Sequence, residues 1–176
     1  MNIAVVVYSL TGNNAKLAKG VSKSLGAAYI EIQPEHPVKG GTIFFNLIFG
    51  NAPKSAPEPA ALASYDKLVF VAPVWMGMAA FPLRPYLSAF GKTKKPYGFL
   101  SVSGGADGGN PKIKRDLYKR VGYAPVILLD QNIRSLLPAE PAPTREMTSA
   151  YRLTEADLSK LTQAASAELA RSGLFA

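Results

Sequence analysis

An apolar segment followed by a polar turn stands near the start of the sequence, Ile3-Ala4-Val5-Val6-Val7-Tyr8-Ser9-Leu10-Thr11-Gly12-Asn13-Asn14, and it determines the expected architecture. Five successive apolar residues indicate a strand buried on both faces, as in a parallel sheet. The next segment places Ala18, Val21 and Leu25 at helical spacing, which predicts a helix over 15–25. The polar residues therefore form a strand-to-helix turn, where backbone N–H groups and the positive end of the helix dipole converge.

This turn has the chemistry of an anion site, and phosphate is the usual occupant of such sites. It contains no Lys or Arg, so N–H groups and hydroxyls would hold a monophosphate. The candidate binding residues are Ser9, Leu10, Thr11, Gly12, Asn13 and Asn14. The spacing matches neither G-x-x-x-x-G-K-[ST] nor G-x-G-x-x-G. A plain helix cap and turn remains the alternative interpretation of Ser-x-Thr-Gly.

Further apolar runs predict strands at 28–32, 67–72, 97–102 and 125–129. Helices are expected between them, one with Pro82 and Pro85 in its first turn and Leu83, Leu87 and Phe90 buried. Asn110 and Pro111 are expected to cap and start the next helix, whose apolar stripe is Ile113, Leu117 and Val121. A proline-rich loop is predicted over 134–145. Thr154 opens a last helix with Leu158, Leu161, Ala165 and Leu169 inward.

This alternation of strands and helices predicts an α/β fold. The expected architecture is a three-layer, doubly wound sandwich around a five-stranded parallel sheet of order 2-1-3-4-5. One domain over 1–176 accommodates the chain of 176 residues.

Composition restricts the classes of function. The chain has 48% apolar and 18% charged residues, as soluble globular proteins do. It has no cysteine, which excludes disulfides, cysteine-ligated metals and thiol chemistry. No basic leader precedes the first apolar run, and the apolar stretch 42–49 is too short to cross a bilayer. We therefore expect a cytoplasmic protein without a membrane span.

The formal charge of +8 permits three interpretations of the basic residues: a solvated cationic face, a docking surface for an acidic partner, or a nucleic-acid site. We expect no nucleic acid, because these residues lie on outer helix faces and are not interleaved with exposed aromatic side chains. One group is Lys16, Lys19 and Lys23. The other is Lys112, Lys114, Arg115, Lys119 and Arg120, near Lys92, Lys94 and Lys95.

Two more unusual loops follow the third and fourth predicted strands, Pro73-Val74-Trp75-Met76-Gly77 and Ser103-Gly104-Gly105-Ala106-Asp107-Gly108. The carboxyl ends of parallel strands share one edge of a sheet, and ligands bind there at the topological switch point, between strands one and three. A phosphate turn, the only tryptophan and a glycine-rich backbone together indicate a site for a phosphorylated planar heterocycle. A core role for Trp75 and a merely flexible glycine turn remain the alternatives.

The three loops in this order resemble those of flavodoxin-like FMN proteins, over nearly the whole chain. Residues 9–14 resemble the phosphate loop [ST]-x-T-G-x-T, with Asn14 in place of the final Thr. Residues 73–77, followed by Pro82 and Arg84, resemble the P-[VI]-W-x-G loop that lines the isoalloxazine. Residues 103–108 stand where a second flavin-edge loop belongs, without the tyrosine that short-chain flavodoxins stack there.

The resemblance implies FMN as cofactor and electron transfer to a redox partner protein, an acidic one in view of the charge, or to a small quinone-like acceptor. NAD(P)H- or quinone-linked reductase activity is compatible with it. A flavin-free binding or regulatory module of the same fold is the alternative. The positive net charge predicts a flavin potential less negative than in acidic flavodoxins, since cations stabilise the anionic reduced flavin.

Residues 33–60 form a long segment rich in Pro and Gly, with apolar residues at 43–45 and 47–49. The segment could pack as a short helix over the sheet edge or form a wall of the ligand site. Phe44, Phe45 and Phe49 favour a small apolar acceptor. His36 is expected on the surface. The sequence contains no Ser-His-Asp set, paired carboxylates or metal-ligand cluster, so hydrolytic and metal-dependent functions are disfavoured.

Overall fold

In a computed structural model of the protein, the described residues are 2–38, 41, 43–50 and 52–175, without the side chains of Phe44, Leu47 and Ile48. The strands in chain order are β1 (Ile3–Val7), β2 (Ala28–Glu31), β3 (Gln33–Pro34), β4 (Ser55–Ala56), β5 (Lys67–Val71), β6 (Val74–Trp75), β7 (Met78–Ala79), β8 (Tyr97–Ser103) and β9 (Ile127–Asn132). The α-helices are α1 (Asn13–Leu25), α2 (Ile43–Phe49), α3 (Arg84–Gly91), α4 (Ile113–Val121), α5 (Arg145–Ala150) and α6 (Glu155–Arg171).

The long strands form one parallel sheet of order β2-β1-β5-β8-β9, and the short ones form two separate hairpins. In terms of the five predicted strands this order is 2-1-3-4-5, so the predicted topology is confirmed. The chain reverses its direction of winding between β1 and β5, because β2 lies on one side of β1 and the later strands of this sheet, β5, β8 and β9, lie on the other. That reversal is the switch point at which doubly wound sheets bind ligands.

Alternate residues of each central strand enter two different cores, as the period of a strand requires. Ala4, Val6 and Phe70 pack against α3 and α4 on one face of the sheet. Val5 and Val7 pack against α1 and α6 on the other. The buried helix positions expected for α1, α3, α4 and α6 are found, except that Leu25 and Leu158 are only half-buried. The two faces together give the predicted three layers.

The predicted start of α4 at Asn110 and Pro111 is wrong. The N-cap position is Lys112, which makes no side-chain cap, and α4 begins at Ile113. The Asn110 amide donates instead to the Ser103 hydroxyl at 3.2 Å and to the Asp130 carboxylate at 2.6 Å. Asn110 therefore braces the loop after β8 and does not cap a helix.

Other boundaries differ by a few residues. Helix α1 begins at Asn13 rather than Ala15, and β9 runs from Ile127 to Asn132, later than predicted. The predicted loop over 134–145 begins within a 3₁₀ turn (Ile133–Leu136) and is followed by the unpredicted α5. In α6 the Thr154 hydroxyl accepts from the Asp157 N–H, while the Asp157 carboxylate accepts from the Thr154 N–H, which is a capping box. No helix among the described residues is long and apolar enough to cross a membrane.

Candidate functional site

The loops that follow β1, β5 and β8 leave the sheet at the same edge, beside the switch point. The first two are in contact, since the Tyr8 N–H donates to the Val71 carbonyl at 3.0 Å. The Tyr8 and Trp75 rings also meet edge to face, with centroids 5.9 Å apart and planes at 84°. The predicted meeting of these loops at one edge is therefore present in the fold.

The first loop, Ser9 to Gly12, is held by its own hydroxyl. The Gly12 N–H donates to the Ser9 Oγ at 3.1 Å, and the Gly12 carbonyl accepts from the Lys16 N–H at 2.9 Å. Gly12 has φ of +89°, a conformation that glycine adopts without strain. Helix α1 starts directly after it, and the first N–H groups of a helix have no acceptor within the helix. Thr11 and these N–H groups are the donors that an anion in this loop would use.

Asn13 and Asn14 are buried, and their side-chain amides are already paired with backbone. The Asn14 amide donates to the Val102 carbonyl and accepts from the Val102 N–H, both at 2.9 Å. The Asn13 amide donates to the Tyr151 carbonyl at 2.9 Å and accepts from the Leu153 N–H at 3.1 Å. These two residues can therefore contribute backbone N–H groups to a ligand, while their amides join α1 to β8 and to the segment before α6.

The second loop is a tight hairpin of β6 and β7, in which Val74 pairs with Ala79 and Trp75 with Met78. The two turn residues have φ of +52° (Met76) and +77° (Gly77), as a two-residue hairpin of the primed type requires. A Cβ on Gly77 would lie 2.9 Å from the Cβ of Lys112, so glycine permits close contact with the start of α4. The hairpin holds Trp75 half-buried and Met76 63% exposed.

A buried carboxylate fixes the base of this hairpin. Asp116 of α4 accepts from the Ala79 N–H at 3.0 Å and is bound by the Arg120 guanidinium at 2.9 to 3.0 Å. Arg84, also buried, approaches the Asn46 carbonyl of α2 at 3.4 Å and the Met78 sulfur at 3.8 Å. Burial lowers the pKa of Arg84, with a smaller contribution from the positive charge of Arg120.

The third loop is held from both sides. The Gly104 carbonyl accepts from the Arg134 N–H and the Ala106 carbonyl from the Arg134 guanidinium, both at 3.1 Å. Gly105 has φ of +69°, and a Cβ there would collide with the Asn132 side chain. Asp107 pairs with Arg145 at 2.7 Å on the surface. The glycine-rich loop is therefore a built turn with a defined backbone path.

The second and third loops enclose a cavity of about 960 Å³. Its lining comprises the hairpin and third-loop residues, the start of α4, one residue of α2 and part of α5: Ile43, Val74, Trp75, Met76, Gly77, Ser103, Gly104, Gly105, Ala106, Asp107, Gly108, Gly109, Asn110, Pro111, Lys112, Arg145, Thr148 and Ser149. The first loop lies beside this cavity and reaches it through the Tyr8–Trp75 contact. Pro73 directly precedes the hairpin and is not part of this lining; its carbonyl accepts from the Ala80 N–H at 3.1 Å.

The charge around the cavity is cationic. Lys112 and Arg145 line it, and its one acidic residue, Asp107, is paired with Arg145. Burial raises the pKa of Tyr8 to about 12, so this hydroxyl is neutral at physiological pH. In the described part of the chain, no group of three His, Asp or Glu side chains could hold a metal ion.

Comparison with solved structures identifies the architecture. A protein from Bacteroides uniformis classed provisionally as a flavoprotein aligns with 84% of this chain and 94% of its own, at 18% identity and a TM-score of 0.61. A flavoprotein from Lactobacillus acidophilus, solved in complex with FMN, covers 76% of this chain and 94% of its own, at 17% identity and a TM-score of 0.53. Oxidised flavodoxin 1 from Bacillus cereus covers 97% and 98%, at 16% identity and a TM-score of 0.53.

The chain has the flavodoxin-like fold. The expected resemblance is thereby confirmed at the level of the fold. No protein-family model and no curated protein gives a significant match to this chain. The roles of the predicted site residues in this flavodoxin-like fold stay a prediction. The arrangement of the three loops says where in the fold that prediction applies.

Sequence reasoning missed several residues of the cavity. Arg145, Thr148 and Ser149 enter it from α5, which is too short to show helical periodicity. One local signal exists, because Thr144 caps α5 by accepting from the Met147 N–H. Asn110 and Lys112 were treated as parts of a helix start and of a basic face, although both also line the cavity.

The apolar segment forms a short helix, and its packing over the sheet edge stays a prediction. Helix α2 is short, and its Ile43 lines the cavity wall. Phe45 and Phe49 are 61% and 70% exposed, whereas the side chain of Phe44, named with them in the sequence, lies outside the described residues. His36 is exposed, as expected.

Proposed function

We propose that this chain is an FMN-binding redox protein of the flavodoxin type, which works in the cytoplasm and passes electrons to a protein or to a quinone-like acceptor. The observation that carries the proposal is the meeting of three loops of complementary chemistry at the switch point of the sheet. The solved structure with FMN among the similar folds supports the choice of cofactor.

The residues at this edge fit such a cofactor. The cavity volume of about 960 Å³ lies in the range of ligand pockets, and both Trp75 and the glycine-rich backbone of the third loop line it. Ser9, Thr11 and the N–H groups at the start of α1 would hold the phosphate. Trp75 would lie against the ring system. The backbone of residues 103–108 would approach its edge, since glycine at 104, 105 and 108 leaves the backbone there without side chains.

FMN, when bound, supplies one- and two-electron transfer chemistry. The protein's own contribution would be to position the cofactor, to shield it from water and to set the charge around it. Ile43, Val74 and Trp75 give the cavity an apolar part of its lining, which would shield a bound ring from water. Asp116 holds the hairpin that carries Trp75 in place. Lys112 makes the cavity favourable for negative charge, because the charge of Arg145 is offset by Asp107 and neutral Tyr8 adds none.

The decisive experiment compares titration with FMN and with riboflavin, which lacks the phosphate. We expect quenched flavin fluorescence and tighter binding of FMN. Thr11→Val should weaken FMN binding about tenfold, since a hydrogen bond to a charged group contributes about 1.5 kcal/mol or more, and should leave riboflavin binding unchanged. Thr162→Val on α6 is the matched control. Absence of FMN uptake by the wild-type protein would refute the proposal.

A flavin-free binding module of the same fold is the second candidate. It is favoured by the side-chain amides of Asn13 and Asn14, which are committed to backbone partners, and by the lack of an aromatic residue in the third loop. The FMN titration separates the two candidates. If FMN binds, steady-state oxidation of NADPH with a quinone present distinguishes a reductase from an electron carrier.

A further inference from the structure

The positive charge of this protein is concentrated in one part of the chain. Residues 84–126 contain nine Lys and Arg against two Asp, a net charge of +7. The rest of the chain contains eleven basic and ten acidic residues, a net charge of +1. Nearly the whole formal charge of +8 therefore belongs to the layer built by α3, β8 and α4.

Within this layer the cations form a continuous exposed surface, which we name the basic face. It consists of Lys92 and Lys94 after α3 and of Lys112, Lys114, Arg115 and Lys119 along α4. Lys94 joins the two groups, because its Nζ lies 5.6 Å from the Tyr123 ring centroid, just beyond the end of α4. The acidic residue of α4, Asp116, points inward to Arg120 and Ala79, so the exposed side of this fully described helix presents cations without a carboxylate.

The basic face begins at the mouth of the cavity. Lys112 lines the cavity and packs against Gly77 of the hairpin. Two large side chains lie among or beside the cations with most of their surface exposed, Met76 at 63% and Tyr118 at 59%. Methionine and aromatic residues are enriched in protein interfaces, whereas lysine is depleted there, so Met76 and Tyr118 are the residues here that favour an interface. A partner seated here would be adjacent to whatever the cavity holds.

A merely solvated helix face does not account for this pattern. The exposed side of α6, on the opposite face of the sheet, carries charges of both signs, with Glu155, Lys160 and Arg171. A nucleic-acid site is disfavoured as well, because phosphate recognition favours arginine. Of the arginines in this layer, Arg84 is buried and Arg120 is bound to Asp116, which leaves Arg115 among five lysines.

We propose that the basic face is the docking surface for an acidic redox protein, which it orients toward the mouth of the cavity. Opposite charges across an interface accelerate association and fix its orientation. Electron transfer between the two proteins rests on the proposed function, whereas docking depends only on the charge of the basic face. The two can therefore fail separately.

The test measures binding of two probe proteins of opposite charge, an acidic plant-type [2Fe–2S] ferredoxin and basic cytochrome c, to the full chain before and after incubation with FMN. We expect the ferredoxin to bind at low ionic strength and to be released by salt. The double variant Arg115→Glu/Lys119→Glu should weaken its affinity at least about tenfold and should improve that of cytochrome c. The matched control is Lys23→Glu/Lys160→Glu, which makes the same change of charge on the α1–α6 side and should alter the affinity less than about twofold.

Two results would overturn the docking proposal: no binding of ferredoxin at low salt, or equal losses in both double variants, which would indicate a response to net charge alone. If the protein binds mixed-sequence duplex DNA more tightly than it binds ferredoxin, and the Arg115→Glu/Lys119→Glu variant abolishes this binding, the basic face is a nucleic-acid site instead. Ferredoxin that docks on a chain unable to take up FMN would support the docking and refute the redox function.

Discussion

Replacing Asn14 by threonine, the residue expected at the end of a flavodoxin phosphate loop, should destabilise this protein. Strand β8 continues beyond Leu100, its last residue paired with β5. There the Asn14 amide pairs with both the N–H and the carbonyl of Val102, as a further strand residue would. The pair is buried, with Asn14 only 3% exposed.

The magnitude follows from this geometry. A threonine side chain is too short to reach both Val102 groups, so two hydrogen bonds of about 1 kcal/mol each are lost. A buried backbone group left without a partner costs about 1 kcal/mol more. The expected loss in the free energy of unfolding is about 3 kcal/mol, which lowers Tm by about 6–12 °C in a chain of this size.

Urea denaturation followed by far-UV circular dichroism and by the fluorescence of Trp75, the only tryptophan, measures this loss. Gln163→Thr, an exposed amide-to-hydroxyl change on α6, is the control and should cost less than about 1 kcal/mol. If Asn14→Thr unfolds within about 0.5 kcal/mol of the wild-type protein, the amide does not stabilise the end of β8 and the reasoning is wrong.

Three further predictions concern other parts of the molecule. Hydrogen bonds from Tyr151 first, and then from Thr154, lower the pKa of Asp157, so the stabilisation by its carboxylate is present above the pKa of the unfolded state and is lost on acidification. Asp157→Asn should therefore cost about 1 kcal/mol at pH 7 and less at pH 3, in paired urea titrations. Gly105→Ala should cost about 2 kcal/mol or more, because φ is positive and the new Cβ meets the Asn132 side chain; thermal unfolding checks this, with Gly109→Ala, in open space, as control. In a redox titration, FMN bound to this protein should reach its fully reduced form at a less negative potential than in an acidic flavodoxin, and an equally low value would contradict the electrostatic argument.

The sheet was predictable because its signals are local. Apolar runs mark the buried strands, and their alternation with helical stripes determines a parallel topology without reference to any distant residue. The side chains that brace the site were not predictable in this way. Asn110 has the residue type and position of a helix cap, yet its partners are Ser103 and Asp130, and the latter is 20 residues away. Nothing in the local sequence distinguishes these two uses of an asparagine.

The same limit applies to the first loop, Ser9 to Gly12, and to the two asparagines that follow it. The order Ser9-Leu10-Thr11-Gly12 identifies a strand-to-helix turn and its N–H groups from sequence alone. That the following asparagines are buried, and that their amides serve the backbone, depends on β8 and on residues 151–153. Sequence reasoning placed Asn13 and Asn14 among the candidate ligand-binding residues, and the distant partners of their amides have no local signature.

The pairing of Asn13 with residues 151 and 153 has a consequence for the order of assembly. The Asn13 amide and the Lys16 ammonium, at the start of α1, bind the carbonyls of Tyr151 and Leu153 respectively, across sequence separations of 138 and 137 residues. Contacts between residues so far apart in sequence form late, because a long loop of chain must close before they are made. On the ribosome, the N-terminal loop would be synthesised first and completed among the last, so ligand uptake should begin only after residues 151–153 have emerged and docked.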